Sequence, residues 1–312
     1  MALRSPAVSL ALPVFNGGDY LDETIRSIQE QTFGDFELTV TDNASSDGTP
    51  DIVAERAAGD RRIRLVRNLV NIGAAANYNL GFTHATGTYF KWCAHDDRLS
   101  PNFLDACVRV LRSHADTALA FAPTLRIGPA NEIMPPVGAE TPAIEAEDAA
   151  ERFWQALELS GTCFPIFGLF RRSAVERSTL HRPYYSSDRA LLAEAAIIGK
   201  FRIAEDAIFY NREHPERSIN IADKVQRSLW QTGRKSRGAA AEHFQLARHL
   251  FEIAGRHPDL VSASRLRARL LRRSLRPREL GRYCLEMTSL VSPAAAGAIK
   301  GLVVGNPVSQ RV

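Results

Sequence analysis

Four short apolar runs in the first hundred residues alternate with stretches of helical periodicity, and three of them stop at clusters of turn-forming polar residues. "AVSLALPVF" (7–15), "FELTVTD" (36–42), "IRLV" (63–66) and "TYFKWCA" (88–94) read as strands. Between them, residues 20–31 place Leu21, Ile25 and Ile28 on one helical face, residues 50–58 are helical, and "NIGAAANYNLGFTHA" (71–85) reads as a turn and a helix. Strands separated by helices of this length imply an α/β chain with a mostly parallel central sheet flanked by helices. Ser100-Pro101 has the chemistry of a helix start, and Phe103, Leu104, Cys107, Val108 and Leu111 follow at helical spacing.

Beyond a Pro- and Gly-rich loop at 128–142, the pattern gives a helix near 147–159, a strand at "GLFRR" (168–172) and a helix from Ser187 or Asp188. "FRIAEDAIFYNREH" (201–214) reads as one or two closing strands. From about 222 the signals are helical, with Phe244, Ala247, Leu250, Phe251 and Ala254 on one face. No run of 18 or more apolar residues occurs, so no transmembrane helix is expected. "VSLALPVF" is short and interrupted by Pro13, so it reads as a first strand and not as a signal peptide. Four scattered cysteines without metal-type spacing suit a reduced, cytoplasmic setting.

In a parallel α/β sheet, ligands sit beyond the carboxyl ends of the strands. Three polar clusters fall there: Pro13-Val14-Phe15-Asn16-Gly17-Gly18, Asp42-Asn43-Ala44-Ser45-Ser46-Asp47-Gly48 and His95-Asp96-Asp97. Each alone is an ordinary strand-end turn; three on one edge point to nucleotide handling. One carboxylate can accept from a base or a ribose hydroxyl, and another can hold Mg²⁺ or Mn²⁺ against a diphosphate. The chain has no G-x-x-x-x-G-K-[ST] loop and no G-x-G-x-x-G after a strand, which excludes P-loop and dinucleotide readings.

The ordered motifs "VSLALPVFNGGDYLDETIRSIQEQTFGDFELTVTDNASSDGT" and "NIGAAANYNLGFTHATGTYFKWCAHDD" resemble family-2 glycosyltransferases of the GT-A fold, well over residues 7–110 and more loosely to about 220. The resemblance implies a GT-A domain over 1–220, with a nucleotide-sugar half (1–115) and an acceptor half (116–220), followed by a helical region (221–312). It implies inverting transfer from a UDP- or dTDP-linked sugar to a glycan or glycolipid hydroxyl. Pro13, Val14, Phe15 and Asn16 would line the nucleotide pocket, with Glu23 nearby. Asp42 would read the base, with Asn43 and Ser45 beside it. Asn71, Gly73 and Asn77 would form the wall near the diphosphate or ribose. His95 and Asp96 would lie by the ribose or donor sugar, and Asp97 would be the principal ligand of Mn²⁺ or Mg²⁺.

Ala94 and Tyr78 depart from the pattern, where an acid and an arginine are common. A catalytically inactive binding module of the same fold is one alternative, and a nucleotidyltransferase another. The general base is expected from the second half, shortly before an apolar helix; in "YYSSDRALLAEAAIIGKF" that is Asp188. "NREHPERS" (211–218) resembles a segment that closes over the donor, with His214 as a second metal ligand and Arg217 offsetting phosphate charge.

The net charge of +4 is uneven. Between Arg265 and Arg282 stand eight arginines against Glu279 alone, so that segment carries +7 and the remainder about −3. The main body is therefore not expected to bind nucleic acid. Residues 260–282 are a candidate patch for an anionic membrane at its inner face, where lipid-linked acceptors lie.

Overall fold

The computed structural model describes residues 5–136, 139–159, 163–234 and 241–291. Its centre is a seven-stranded sheet of order β3-β2-β1-β4-β8-β6-β9. The strands are β1 (Val8–Val14), β2 (Phe36–Asp42), β3 (Ile63–Arg67), β4 (Tyr89–Trp92), β6 (Thr117–Phe121), β8 (Leu169–Arg171) and β9 (Lys200–Ile203). A smaller sheet of order β5-β10-β7 joins β5 (Arg98–Leu99), β7 (Thr124–Ile127) and β10 (Phe209–Arg212). In the large sheet β1, β2, β3 and β4 are parallel, and β8 runs antiparallel to both its neighbours.

The eleven described helices are α1 (Leu21–Gln29), α2 (Thr49–Gly59), α3 (Ala74–Thr83), α4 (Phe103–Ser113), α5 (Ala149–Leu157), α6 (Arg172–Glu176), α7 (Ser187–Ile198), α8 (Lys224–Thr232), α9 (Glu242–Ile253), α10 (Ala263–Ser274) and α11 (Pro277–Val291). None of the described helices is long and apolar enough to cross a membrane. Pro101 precedes α4 without opening it: Asn102 holds the cap position, and the Ser100 hydroxyl is turned to the Asn102 side chain at 2.8 Å. Strands β6 and β7, within "TALAFAPTLRI", have no counterpart in the periodicity reading.

Strand β1 is buried on both faces, as a central parallel strand must be. Val8, Leu10, Leu12 and Val14 join α1 and α4 in one core, while Ala11 faces the other with Phe90 and Trp92. That second core continues into α5, α7, α9 and α10, so the C-terminal helices share it with the sheet. Trp92 meets Phe90 and Phe170 edge to face, with centroids 4.7 and 5.7 Å apart. Each such pair contributes about 1 kcal/mol beyond area burial. Phe244, expected on the buried face of α9, is exposed, whereas Leu250 and Ala254 are buried.

Candidate active site

The carboxyl ends of β1, β2 and β4 and the segment after β10 surround a cavity of about 400 Å³. Of the expected residues, Pro13, Val14, Phe15, Asn16, Asn43, Asn71, Asn77, His95, Asp96, Asp97, His214 and Arg217 line it. Local turns hold the wall in place. The Asn16 N–H donates to Ser45 Oγ at 2.9 Å, and the Asp42 carboxylate accepts from the Ser45 N–H at 3.0 Å. Asn16 and Ala44 sit in the left-handed region, at φ +50° and +64°. Gly17 is required by close approach, since a Cβ there would lie 2.6 Å from the Val14 side chain and 2.7 Å from the His95 ring.

Asp97 is 4% exposed, and its Oδ1 accepts from the Arg212 N–H at 2.9 Å and the Asn211 side-chain amide at 3.0 Å. No donor reaches Oδ2 among the described residues. Burial, and then the adjacent Asp96, push the Asp97 carboxyl up to about 8. Burial also works against Asp96, yet the hydrogen bond from His214 and the charge of His95 bring its carboxyl below the usual range. The His214 Nε2 lies 2.9 Å from Asp96 Oδ2, its Nδ1 3.1 Å from Glu216, and its ring 4.8 Å from Tyr20.

These residues fit a divalent cation only in part. Asp97 offers a carboxylate oxygen without a donor beside a second carboxylate, and burial with Asp96 outweighs the Arg212 N–H, Arg217 and Asn211, which favour its charged form. Yet no group of three His, Cys, Asp or Glu side chains able to hold a metal forms among the described residues. A cation held by Asp97 would draw its remaining ligands from diphosphate oxygens and water, as Mg²⁺ and Mn²⁺ commonly do.

Several of these residues take up contacts that the sequence reading did not foresee. His214, expected as a metal ligand, has its ring nitrogens against Asp96 and Glu216. Glu23 lies outside the cavity wall. Its carboxylate accepts from Arg212 Nη2 at 2.7 Å and Asn131 Nδ2 at 2.9 Å. Asp42 is fully buried behind the wall; its Oδ2 is 3.1 Å from Arg67 Nε, too poorly aligned for a hydrogen bond. Gly73, at φ +85°, serves packing, because a Cβ there would fall 2.4 Å from the backbone of Thr232 and Gly233 at the end of α8. Ser45 likewise positions Asn16 without lining the cavity.

Asp188 lines a second cavity of about 300 Å³ that shares Tyr78, Phe167, Asn211, Arg217 and Trp230 with the first. It occupies the first turn of α7, whose N-cap is Ser186 at φ +68°, so Asp188 is not itself the cap. Its Oδ1 accepts from the Arg189 N–H at 2.9 Å, and burial raises its pKa. Burial also raises the Tyr78 phenol, followed by the carboxyls of Asp96, Asp97 and Asp188. The ring therefore stands between the two acidic centres.

Arg212 was not foreseen. It is 0% exposed and donates to the Asp96 carbonyl at 2.8 Å, to the Gly128 and Pro129 carbonyls, and to Glu23. The strand-end rule would have found it had β10 been placed beside β5 and β7. Asn211 was missed for the same reason.

A mostly parallel sheet whose strand ends converge on a carboxylate-lined cavity is, in this arrangement, the GT-A glycosyltransferase fold. The chain belongs to glycosyl transferase family 2, whose model matches residues 9–178. An uncharacterized glycosyltransferase of Rickettsia typhi is 35% identical over 107 residues, a match covering 34% of this chain and 32% of the relative. The chain thus matches about a third of the length of such relatives. Residues 1–349 of S. aureus TarS in complex with UDP-GlcNAc superpose with a TM-score of 0.57 at 15% identity, covering 91% of this chain and 80% of that fragment. The mannosyltransferase PcManGT from Pyrobaculum calidifontis, in complex with GDP-Man and Mn²⁺, gives 0.52 at 18% identity, covering 97% and 88%. At these identities the two structures speak for the fold.

Proposed function

We propose that the chain transfers a sugar, with inversion, from a UDP- or dTDP-linked donor to a hydroxyl of a glycan or glycolipid. One observation carries this reading: Asp97 and Asp188 line two neighbouring cavities that share Tyr78 and Asn211 in their walls. A leaving diphosphate at Asp97 and an acceptor hydroxyl at Asp188 then face the same sugar from opposite sides, as in-line displacement requires. Bound at Asp97, Mn²⁺ or Mg²⁺ would supply countercharge to the diphosphate.

The chain's own groups do the rest. Asp188 takes the acceptor proton, and its raised pKa makes it a better base near neutral pH than an exposed aspartate. Asn43 and Asn77 donate their amides to Asn71 and the Thr41 carbonyl and so shape the wall, while exposed Asn71 presents its own amide to the nucleotide. Arg217, which also pairs with Glu213, brings positive charge to the shared wall of the cavities. Residues 1–115 form the donor half, 116–220 the acceptor half, and the helices after 221 brace the latter. The test is release of nucleoside diphosphate from a panel of UDP-, dTDP- and GDP-sugars with Mn²⁺ or Mg²⁺. Neither release nor binding with any member would end this reading.

Part of the charge of the basic C-terminal segment is offset in ion pairs: Arg265, Arg269 and Arg282 pair with Asp148, Glu151 and Glu279. Arg272, Arg276 and Arg278 stay exposed beside exposed Leu271 and Leu275. This mixed basic and apolar surface suits the cytoplasmic face of an anionic membrane. Flotation on anionic liposomes should fall when those three arginines become glutamine; unchanged flotation would remove the idea.

A further inference from the structure

The two neighbouring cavities are joined by a third beyond Asp188. Tyr185, Ser186 and Arg189 also border this third cavity, of about 260 Å³, between α7 and the C-terminal helices α9, α10 and α11. Leu246, Leu250, Phe251 and Leu270 make part of its wall apolar. The same wall carries Arg189, Arg273 and Arg282 against Glu242 and Glu279.

Both acids are already engaged, Glu279 by Arg282 at 3.0 Å and Glu242 by Arg227 at 2.9 Å. Arg189 and Arg273 have no carboxylate within ion-pair distance among the described residues. The Arg189 guanidinium makes one hydrogen bond, to the Leu157 carbonyl at 3.0 Å. Arg273 is half-buried, and burial presses its pKa below the usual value although Glu279 acts against that shift; Arg189 adds to it. Three guanidinium groups line the cavity against two carboxylates, and Glu242 is also shared with Arg227, so a partly desolvated excess of positive charge remains that a bound anion would offset. Their planar forks match the oxygens of a phosphate.

We propose that this third cavity is an acceptor subsite for a phosphate group carried on an apolar chain. Arg189 and Arg273 hold the phosphate, and Leu246, Leu250, Phe251 and Leu270 receive the chain. The assignment rests on reading Asp188 as the base, because Arg189 then places the phosphate next to the acceptor hydroxyl. Acceptors of this class are sugars joined through phosphate to a lipid.

Titration calorimetry of the intact chain, without donor, tests the subsite with octyl phosphate, inorganic phosphate and octanol. Octyl phosphate is expected to bind about tenfold or more tighter than either of the others. Arg273→Gln should weaken octyl phosphate by about tenfold or more, and exposed Arg267→Gln, outside the cavity, by less than about twofold. Ala247→Trp fills the cavity without changing charge and should also abolish binding; it carries the test if Arg273→Gln does not fold. Equal binding by wild type and Arg273→Gln overturns the proposal. Inorganic phosphate binding as tightly as octyl phosphate removes the apolar chain, and octanol doing so removes the phosphate. Because binding is read without donor, octyl phosphate binding in a chain that never releases nucleoside diphosphate would remove the transferase reading and leave the anion site standing.

Discussion

Arg212 donates its Nε to the Asp96 carbonyl at 2.8 Å, and its main-chain N–H to the Asp97 carboxylate at 2.9 Å. One buried residue of β10 thereby fixes the loop that ends β4. The smaller sheet exists, in effect, to deliver that residue.

Replacing Arg212 by Met would leave Glu23 and the Asp96, Gly128 and Pro129 carbonyls short of a donor. Breaking one side of a buried ion pair costs about 3–5 kcal/mol, and that loss is expected in urea unfolding. A loss below about 1 kcal/mol would mean that water replaces the guanidinium, and that the clamp is not structural.

Asp188→Asn should reduce turnover by roughly 10²- to 10⁴-fold while leaving donor affinity unchanged. Nucleoside diphosphate release gives the first quantity and calorimetry the second. Wild-type turnover in the variant would move the base elsewhere.

Asp97→Asn keeps the shape but removes the carboxylate that would hold the cation. Thermal stability should hold or rise slightly, because the charged form is disfavoured by burial. The dependence of UDP binding on Mn²⁺, and its loss on chelation, should disappear in the variant. A variant that still needs Mn²⁺ would place the cation on other residues.

Stability should fall between about pH 6.5 and pH 4, with His249 as one cause. Its ring is held neutral between the Tyr184 hydroxyl and Thr179 Oγ1, both at 2.7 Å, and burial, then Arg182, lower its pKa to about 4. Glu194, Glu252 and Arg256 are the other charges that it feels. The unfolded chain protonates this histidine from about pH 6.5 downward and the folded chain does not. Its stabilisation is therefore complete above pH 6.5 and lost as pH falls through 4, by at most about 3 kcal/mol. His249→Gln should flatten urea midpoints over that window; an unchanged slope would count against the assignment.

Ala44 holds φ +64°, where a side chain costs about 1 kcal/mol and glycine does not. Ala44→Gly should raise stability by about 0.5–1 kcal/mol, read from the denaturation midpoint. A loss would show that the methyl group packs against the turn.

The parallel arrangement of β1 to β4 was legible because each strand and helix declares itself within ten or so residues. The strand-end clusters were legible too, since turn chemistry is local. Strands β6 and β7 were not, because "TALAFAPTLRI" carries no boundary signal of its own and becomes strand through its neighbours. Ser100-Pro101 misled for the opposite reason: the local signal was present, but the Ser100 hydroxyl accepts from the Ile208 N–H and donates to the Asn102 side chain, so it caps no N–H of the helix.

By itself the sequence determined the α/β class, the edge on which the polar clusters lie, and the carboxylates worth testing, since periodicity and turn composition are short-range properties. Only the tertiary structure decided that Glu23 supports Arg212, that His214 faces Asp96, and that the cavities beside Asp97 and Asp188 share a wall. Arg212 and Asp96 stand 116 positions apart, as His214 and Asp96 stand 118. Pairings at that range arise from how β10 docks beside the loop after β4, and no local pattern encodes them.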